Sequence, residues 1–308
     1  MNYRFSGHET FPFRYTWLPK AVQVIGVDHR LLEDDEQAMV ELGVGKNMVR
    51  AIRFWIQVSG LATYSRQDGY IVTPLGESLL GASGLDPYLE DVRTLWLIHW
   101  NLSSQREDPL FAWDHLLNHW HHPDFTRTDA LLAFRREAAR LERDLSDVTL
   151  EQHFDIFLHT YVPTRGGKGL ILEDNLDCPL VELNLIRKIG ERRVGGQGKQ
   201  EAVYAFQRDP KPDISAELFA YCLHEFWDTH HPHEDVLSFR DVAVTVGSPG
   251  QIFKLPEWDI RERLETIYED SCGAFRYEES AAFQQIGRLA HEHGDLLPMI
   301  YSPEAPHA

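Results

Sequence analysis

The stretch from Leu31 to Leu80, "LLEDDEQAMVELGVGKNMVRAIRFWIQVSGLATYSRQDGYIVTPLGESLL", constrains the fold more than any other part of the chain. Acids in its first turn suit the positive end of a helix, and Gly43 is the residue type that stops a helix in a left-handed turn. A second helix is predicted from about Asn47 to Ser59, with Gly60 as its stop. Met48, Ile52, Trp55, Ile56 and Ser59 recur with helical period and predict its buried face. Lys46, Arg50, Arg53 and Gln57 fall together on the opposite face. Two strands, Ala62–Ser65 and Tyr70–Thr73, follow around Gln67-Asp68-Gly69, because Asp-Gly favours a tight hairpin. Thr73 then caps a helix with Pro74 at its first position, where a missing N–H costs nothing. Helix, turn, helix and hairpin in this order predict a winged helix-turn-helix.

The same stretch contains "GVGK", which raises the alternative of a nucleotide phosphate loop. That loop needs a glycine five residues before Gly45 and a hydroxyl after Lys46. The positions hold Val40 and Asn47, and "GGKG" at 166–169 fails likewise at Val162 and Gly169. No nucleotide cofactor is expected. The basic face instead suits DNA phosphates. Lys46, Asn47, Arg50, Arg53 and Gln57 on the helix, with Arg66 at the hairpin tip, are the predicted contacts. The net charge of −18 opposes nucleic-acid binding by the chain as a whole. Locally the balance reverses: between Glu41 and Arg66 four cations face a single acid. A winged helix used only for protein contacts, its cations a solvated face, stays open as an alternative.

Beyond residue 85 the pattern is helical to about residue 160, through "LEDVRTLWLIHWNLSS", "PLFAWDHLLNHWHH" and "TDALLAFRREAARLERDLSDVTLEQHFDIFLHTYV". A glycine-rich basic loop and an acidic run break it. "ERRVGGQGKQEAVYAF" then predicts a hairpin and "DISAELFAYCLHEFWDTHH" an amphipathic helix. From Leu237 two further helices flank "GSPGQIFKL", followed by a strand at "GAFRYEE" and a last helix over "SAAFQQIGRLAHEH". The predicted class is mainly α with small β hairpins (α+β). Its modules are an N-terminal docking segment plus winged helix (1–85), a helical linker domain (86–160) and a mixed C-terminal domain (161–308), the last with a second winged-helix-like unit.

No apolar run approaches the roughly 20 residues that span a bilayer, so no membrane association is expected. Cys178, Cys222 and Cys272 are far apart with no CxxC pair, which suits a reducing cytoplasm and excludes a thiolate zinc framework.

Three regions could carry chemistry. Glu173, Asp174 and Asp177 could hold a divalent cation, Mg or Mn, which binds oxygen ligands and activates water in phosphodiester cleavage. Arg165 and Lys168 lie just upstream, where they could meet the phosphate. "FSGHETFPFRYTWLPKA" gathers aromatics around His8, Glu9 and Arg14; it should dock on the body, with His8 and Glu9 as an acid–base pair and Arg14 on a phosphate. A buried structural histidine is the other outcome for His8. The histidine groups at 119–122, 230–233 and 291–293 lack a metal-ligand spacing and suit polar turns, unless several assemble into one site.

"FSGHETFPFRYTWLPKA", "GVGKNMVRAIRFW", "DCPLVELNLI", "FAYCLHEFW" and "SPGQIFKL" resemble, in the same order from Phe5 to about Ile286, a bacterial family first known as a domain of unknown function. It includes the SspB-like proteins of the single-stranded DNA phosphorothioation system. The resemblance implies a DNA nickase that opens one strand in anti-phage defence. Its implied partners are a cysteine desulfurase, an ATP pyrophosphatase-like sulfur-transfer protein and an ATPase. His8, Glu9, Asp177 and Glu182 are the family-motif residues that become catalytic candidates. A non-catalytic DNA-binding adaptor and a protein scaffold are the readings from other classes.

Overall fold

The computed structural model describes residues 2–163, 178–194, 199–289 and 296–302. The chain forms two compact units, Met1–Gln207 and Arg208–Ala308. The boundaries drawn from sequence at 85 and 160 both fall inside the first.

The first unit begins with an extended N-terminal segment and α1 (Trp17–Val27), followed by α2 (Asp35–Leu42) and α3 (Lys46–Val58). Asp34 caps α2 by accepting from the Glu36 and Gln37 N–H groups. Gly43 ends it at φ 68°, in the left-handed region where glycine carries no Cβ penalty. The hairpin β1 (Ala62–Ser65) and β2 (Gly69–Val72) pairs Ala62 with Val72 and Ser65 with Gly69. α4 (Pro74–Leu80) starts at Thr73, whose hydroxyl accepts from Gly76 N–H at 3.0 Å.

An aromatic core fills the space between these elements and the next helices, α5 (Val92–Ser104) and α6 (Phe111–Trp113), the latter continuing into a π-helical turn (Asp114–His119). Trp55, Trp96, Trp100 and Trp113 are all under 2 % exposed. Each buried ring of this size removes on the order of 200 Å² of apolar surface from water, roughly 5 kcal/mol before entropy is counted. The N-terminal segment docks as its aromatic content demands. Arg4 N–H donates to Pro109 O, Phe111 N–H donates back to Arg4 O, and Trp55 Nε1 donates to Phe11 O at 2.8 Å.

β3 (Asp124–Thr126) leads into α7 (Arg127–Arg140), which a reciprocal Thr126–Asp129 capping box starts. α8 (Asp147–Tyr161), a 3-10 turn (Pro179–Leu183) and the hairpin β4 (Ile186–Val194)–β5 (Lys199–Phe206) complete the unit. Its sheet has the order β3-β5-β4, all antiparallel, with a bulge between Lys188 and Gly190.

The second unit holds α9 (Ala216–His230), β6 (Val236–Ser238), α10 (Phe239–Val244), α11 (Pro249–Phe253), α12 (Glu257–Glu265), α13 (Ile267–Asp270), β7 (Phe275–Glu279), β8 (Gln284–Arg288) and α14 (Leu296–Ile300). Trp227 of α9 stacks on Phe275 of β7 at 5.3 Å. The helix expected over "SAAFQQIGRLAHEH" is corrected here: residues 284–288 are β8, paired with β7 on one side and β6 on the other. Ile286 is fully buried in the centre of this sheet, and Gly287 disfavours a helix interior, so tertiary pairing overrides the apolar spacing. The class is mainly α with small antiparallel sheets, as the sequence predicts.

Candidate nucleic-acid interface

α3 owes its position to its apolar side. Val49, Ala51, Ile52, Phe54, Trp55, Ile56 and Val58 are buried, and Ser59 Oγ donates to Trp55 O at the helix end. Met48, expected in the buried face, is only half-buried. The polar stripe does lie on the remaining face, but its four members are not equivalent. Asp35, from the first turn of α2, reaches across to it. Lys46 Nζ stands 3.0 Å and Arg53 Nη1 2.7 Å from its carboxylate. The bonds from Lys46 and Arg53 hold the Asp35 carboxyl below its usual range. Arg53 is sunk to 17 % side-chain exposure, with Nε and Nη2 buried and without a hydrogen-bond partner among the described residues. Gln57 folds back on the helix and donates to Arg53 O at 2.7 Å.

The expectation that Lys46, Arg50, Arg53 and Gln57 present one equivalent face to phosphates therefore needs correction. Asp35 on the neighbouring helix already engages Lys46 and Arg53, and an ion pair must be broken before either meets a phosphate. Lys46, Asn47 and Arg50 remain exposed at the start and middle of α3, and Arg66 is exposed at the hairpin tip. The tip is anchored: Ser65 Oγ donates to Asp68 Oδ2 at 2.9 Å, and Arg30 Nη2 donates to Gln67 O at 2.5 Å. The backbone around Gly69 is held against His29, whose carbonyl accepts from Tyr70 N–H. Arg50 and Arg66 make no ion pair among the described residues. Both are free to meet an incoming anion.

The N-terminal segment is assembled differently from the sequence expectation. His8 is 3 % exposed and stacks on His153 of α8, with ring centroids 5.4 Å apart and planes at 16°. Its Nε2 lies 3.3 Å from His153 Nδ1, while Ala112 N–H donates to His153 Nε2 at 3.1 Å. With Nε2 of His153 accepting, Nδ1 carries that ring's proton and faces His8. On its other side His8 accepts from Thr10 N–H at Nδ1, at 3.2 Å. Burial lowers the His8 imidazolium to about 4 and pushes His153 well below its ordinary value, so both rings are neutral at pH 7. Glu9 sits half-buried in a left-handed turn at φ 49° and makes no hydrogen bond or ion pair with His8. The acid–base pair expected of these two is not assembled; His8 is a clamp between the N-terminal segment, α6 and α8.

Two motif segments meet elsewhere. Tyr15 donates its phenol proton to Glu182, which lies on the exposed side of the 3-10 turn. Burial and this carboxylate both raise the Tyr15 phenol. Arg14 lies over the Trp17 ring at 5.4 Å, a cation–π contact that keeps it half-exposed. Arg165, Lys168, Glu173, Asp174 and Asp177 lie outside the described residues. Among the described residues no three His, Cys, Asp or Glu side chains come together to hold a metal ion. His119 and His231 pair instead with Asp114 at 3.4 Å and Glu234 at 2.9 Å. No helix of the described residues is long and apolar enough to cross a membrane.

Sequence reasoning missed Asp35, His153 and Tyr15. Asp35 was visible only as one more acid in a helix first turn. His153 offers a faint signal, a histidine on the apolar face of "TLEQHFDIFLHTYV", which needs a buried partner.

The family model described as "Protein of unknown function (DUF4007)" matches residues 5–301. The chain belongs to the DUF4007 family. Two solved structures resemble this DUF4007 protein, a crystal structure of SspB and a magnesium-ion-bound crystal structure of SspB. Each is 27% identical with a TM-score of 0.77, over 92% of this chain and 82% of its own. The likeness to SspB-like proteins seen in the motifs thus extends to the fold. No curated protein matches.

Proposed function

We propose that this DUF4007 protein serves a DNA phosphorothioation system as a DNA-binding, strand-nicking endonuclease. One observation carries the proposal: the fold of SspB recurs over 92% of the chain at 27% identity. The order of α2, α3 and the β1–β2 hairpin supports it, being that of a winged helix with exposed Lys46, Asn47, Arg50 and Arg66. Such a module places the helix N-terminus and hairpin cations against backbone phosphates.

Nicking adds the oxygen of a water molecule to phosphorus and breaks one P–O bond to the sugar. The water proton passes to a base, and the leaving oxygen takes up a proton. Glu182, exposed and already oriented by the Tyr15 phenol, is the candidate base among the described residues, with Asp177 five residues before it in sequence. In this reading Glu173, Asp174 and Asp177 are the candidate oxygen ligands for Mg or Mn. The sulfur-transfer enzymes are the partners, working on the strand that has been opened.

The adaptor reading is favoured by one observation: His8, a proposed catalytic group, is buried against His153. Supercoiled plasmid incubated with the protein and magnesium or manganese separates the two. Open circles that vanish with chelator and with Glu182→Gln support nicking. A mobility shift without open circles assigns the adaptor role.

A further inference from the structure

The β4–β5 hairpin is the part of the first unit that the helix-turn-helix reading leaves unused. β4, "IRKIGERRV", is exposed or half-exposed at every position after Ile186. It carries Arg187, Lys188, Arg192 and Arg193 against the single acid Glu191, on a chain whose net charge is −18. An isolated cationic strand on such a body is a local reversal of field that favours an anionic partner.

The bulge decides how these cations are presented. Lys188 pairs with Tyr204 and Arg193 with Gln200, four residues apart on β5, so Lys188 and Arg193 share one face. Arg187 pairs with Ala205 and Arg192 with Glu201, which places these two on the other face. A regular strand would have put Lys188 and Arg193 on opposite faces, because their separation is odd. The extra residue thus gives each face two cations, roughly 13 Å apart along the ribbon.

The hairpin's acids are already engaged. Glu201 accepts from Thr128 N–H and Oγ1 at 3.0 and 2.8 Å, at the start of α7, and Glu191 holds Lys188 at 2.8 Å. Arg192 anchors the ribbon to Asp124 at 2.5 Å. Arg187 and Arg193, both largely exposed, make no ion pair among the described residues. Beside Arg187 opens a groove of about 530 Å³ whose wall also includes Lys188, His159, Asn184 and Tyr204.

We propose that the β4–β5 hairpin is a second DNA-contacting arm, in which Arg187 from one face and Arg193 from the other each meet a sugar–phosphate backbone. This rests on the DNA-binding reading above and names a surface that reading does not use. Where β5 runs beyond β3, over residues 199–202, the hairpin is a two-stranded ribbon, which fits the width of a major groove, and guanidinium forks meet phosphate oxygens in pairs. The surface Lys188–Glu191 pair is weak enough for a phosphate to replace the carboxylate. With Asp35 engaging Lys46 and Arg53, the hairpin offers as many unpaired arginines as α3 and the β1–β2 tip together.

The test measures binding of a fluorescent DNA duplex of about 30 base pairs by anisotropy across a salt series. It compares the parent protein, Arg187→Gln/Arg193→Gln, and the charge-matched Arg208→Gln/Arg240→Gln in the other unit. The hairpin variant should bind at least about tenfold more weakly at moderate salt, and its log–log salt slope should fall by about 2, near 0.9 per lost phosphate contact. The control should keep the parent slope. A hairpin variant with parent affinity and slope overturns the arm and leaves the DNA reading standing. Equal losses in both variants also overturn it, assigning the effect to net charge. No binding by the parent at low salt overturns both.

Discussion

The His8–His153 pair makes stability depend on pH in a direction and amount that can be worked out. His8 titrates near 4 in the folded chain against an ordinary value near 6.5, because its 3 % exposed ring is desolvated. The unfolded chain therefore takes up its proton first as pH falls. Stability is complete above the unfolded value and is lost progressively between about pH 6.5 and about pH 4. At about pH 5 the unfolded imidazole is mostly charged and the folded one mostly neutral, a cost of about 2 kcal/mol relative to about pH 7.5. Acidification should loosen the N-terminal segment, since the pair holds it to α6 and α8. His8→Gln keeps an acceptor for His153 Nδ1–H and removes the titration. Urea unfolding followed by tryptophan fluorescence at the two pH values should show the parent losing about 2 kcal/mol more than the variant. Equal losses would refute the burial argument and return His8 to the list of accessible catalytic groups.

Three further outcomes are expected. Tyr161→Phe leaves buried Trp113 Nε1, now 2.9 Å from the phenol oxygen, without that acceptor, and removes the 2.8 Å bond to His99 Nδ1. It should cost about 1–3 kcal/mol, and an unchanged calorimetric transition would show the network to be dispensable. Gly69→Ala forces a side chain into φ +78° with its Cβ 2.5 Å from His29 O, so it should destabilise by about 1–3 kcal/mol. A melting temperature equal to the parent's would mean that the hairpin tip relaxes freely. Asp35→Asn releases Lys46 to meet a phosphate and should steepen the salt slope of DNA binding by about 0.9. A slope unchanged from the parent's excludes Lys46 from the interface.

Much of the N-terminal architecture was legible because its signals are local. A glycine that adopts φ 68°, an Asp-Gly turn and a Thr-Pro cap each depend on neighbours a few residues away, so α2, α3, the hairpin and α4 appear close to where the sequence places them. β8 was not legible. "QQIGR" gains its strand conformation only by pairing with β6 and β7, and Phe283, which suggested an apolar helix face, is left 49 % exposed.

The sequence alone determined the class of the chain, the helix-turn-helix order, the docking of the aromatic N-terminus and the family motifs. All of these follow from periodicity, from turn chemistry or from the cost of leaving large apolar rings in water. Tertiary structure decided which charges are available. Periodicity put Lys46 and Arg53 on one face but could not bring Asp35 across from α2, place His8 against a histidine 145 residues away, or sort the β4 cations by a bulge. Charge pairing and desolvation depend on distance in space, to which spacing along the chain gives no direct access.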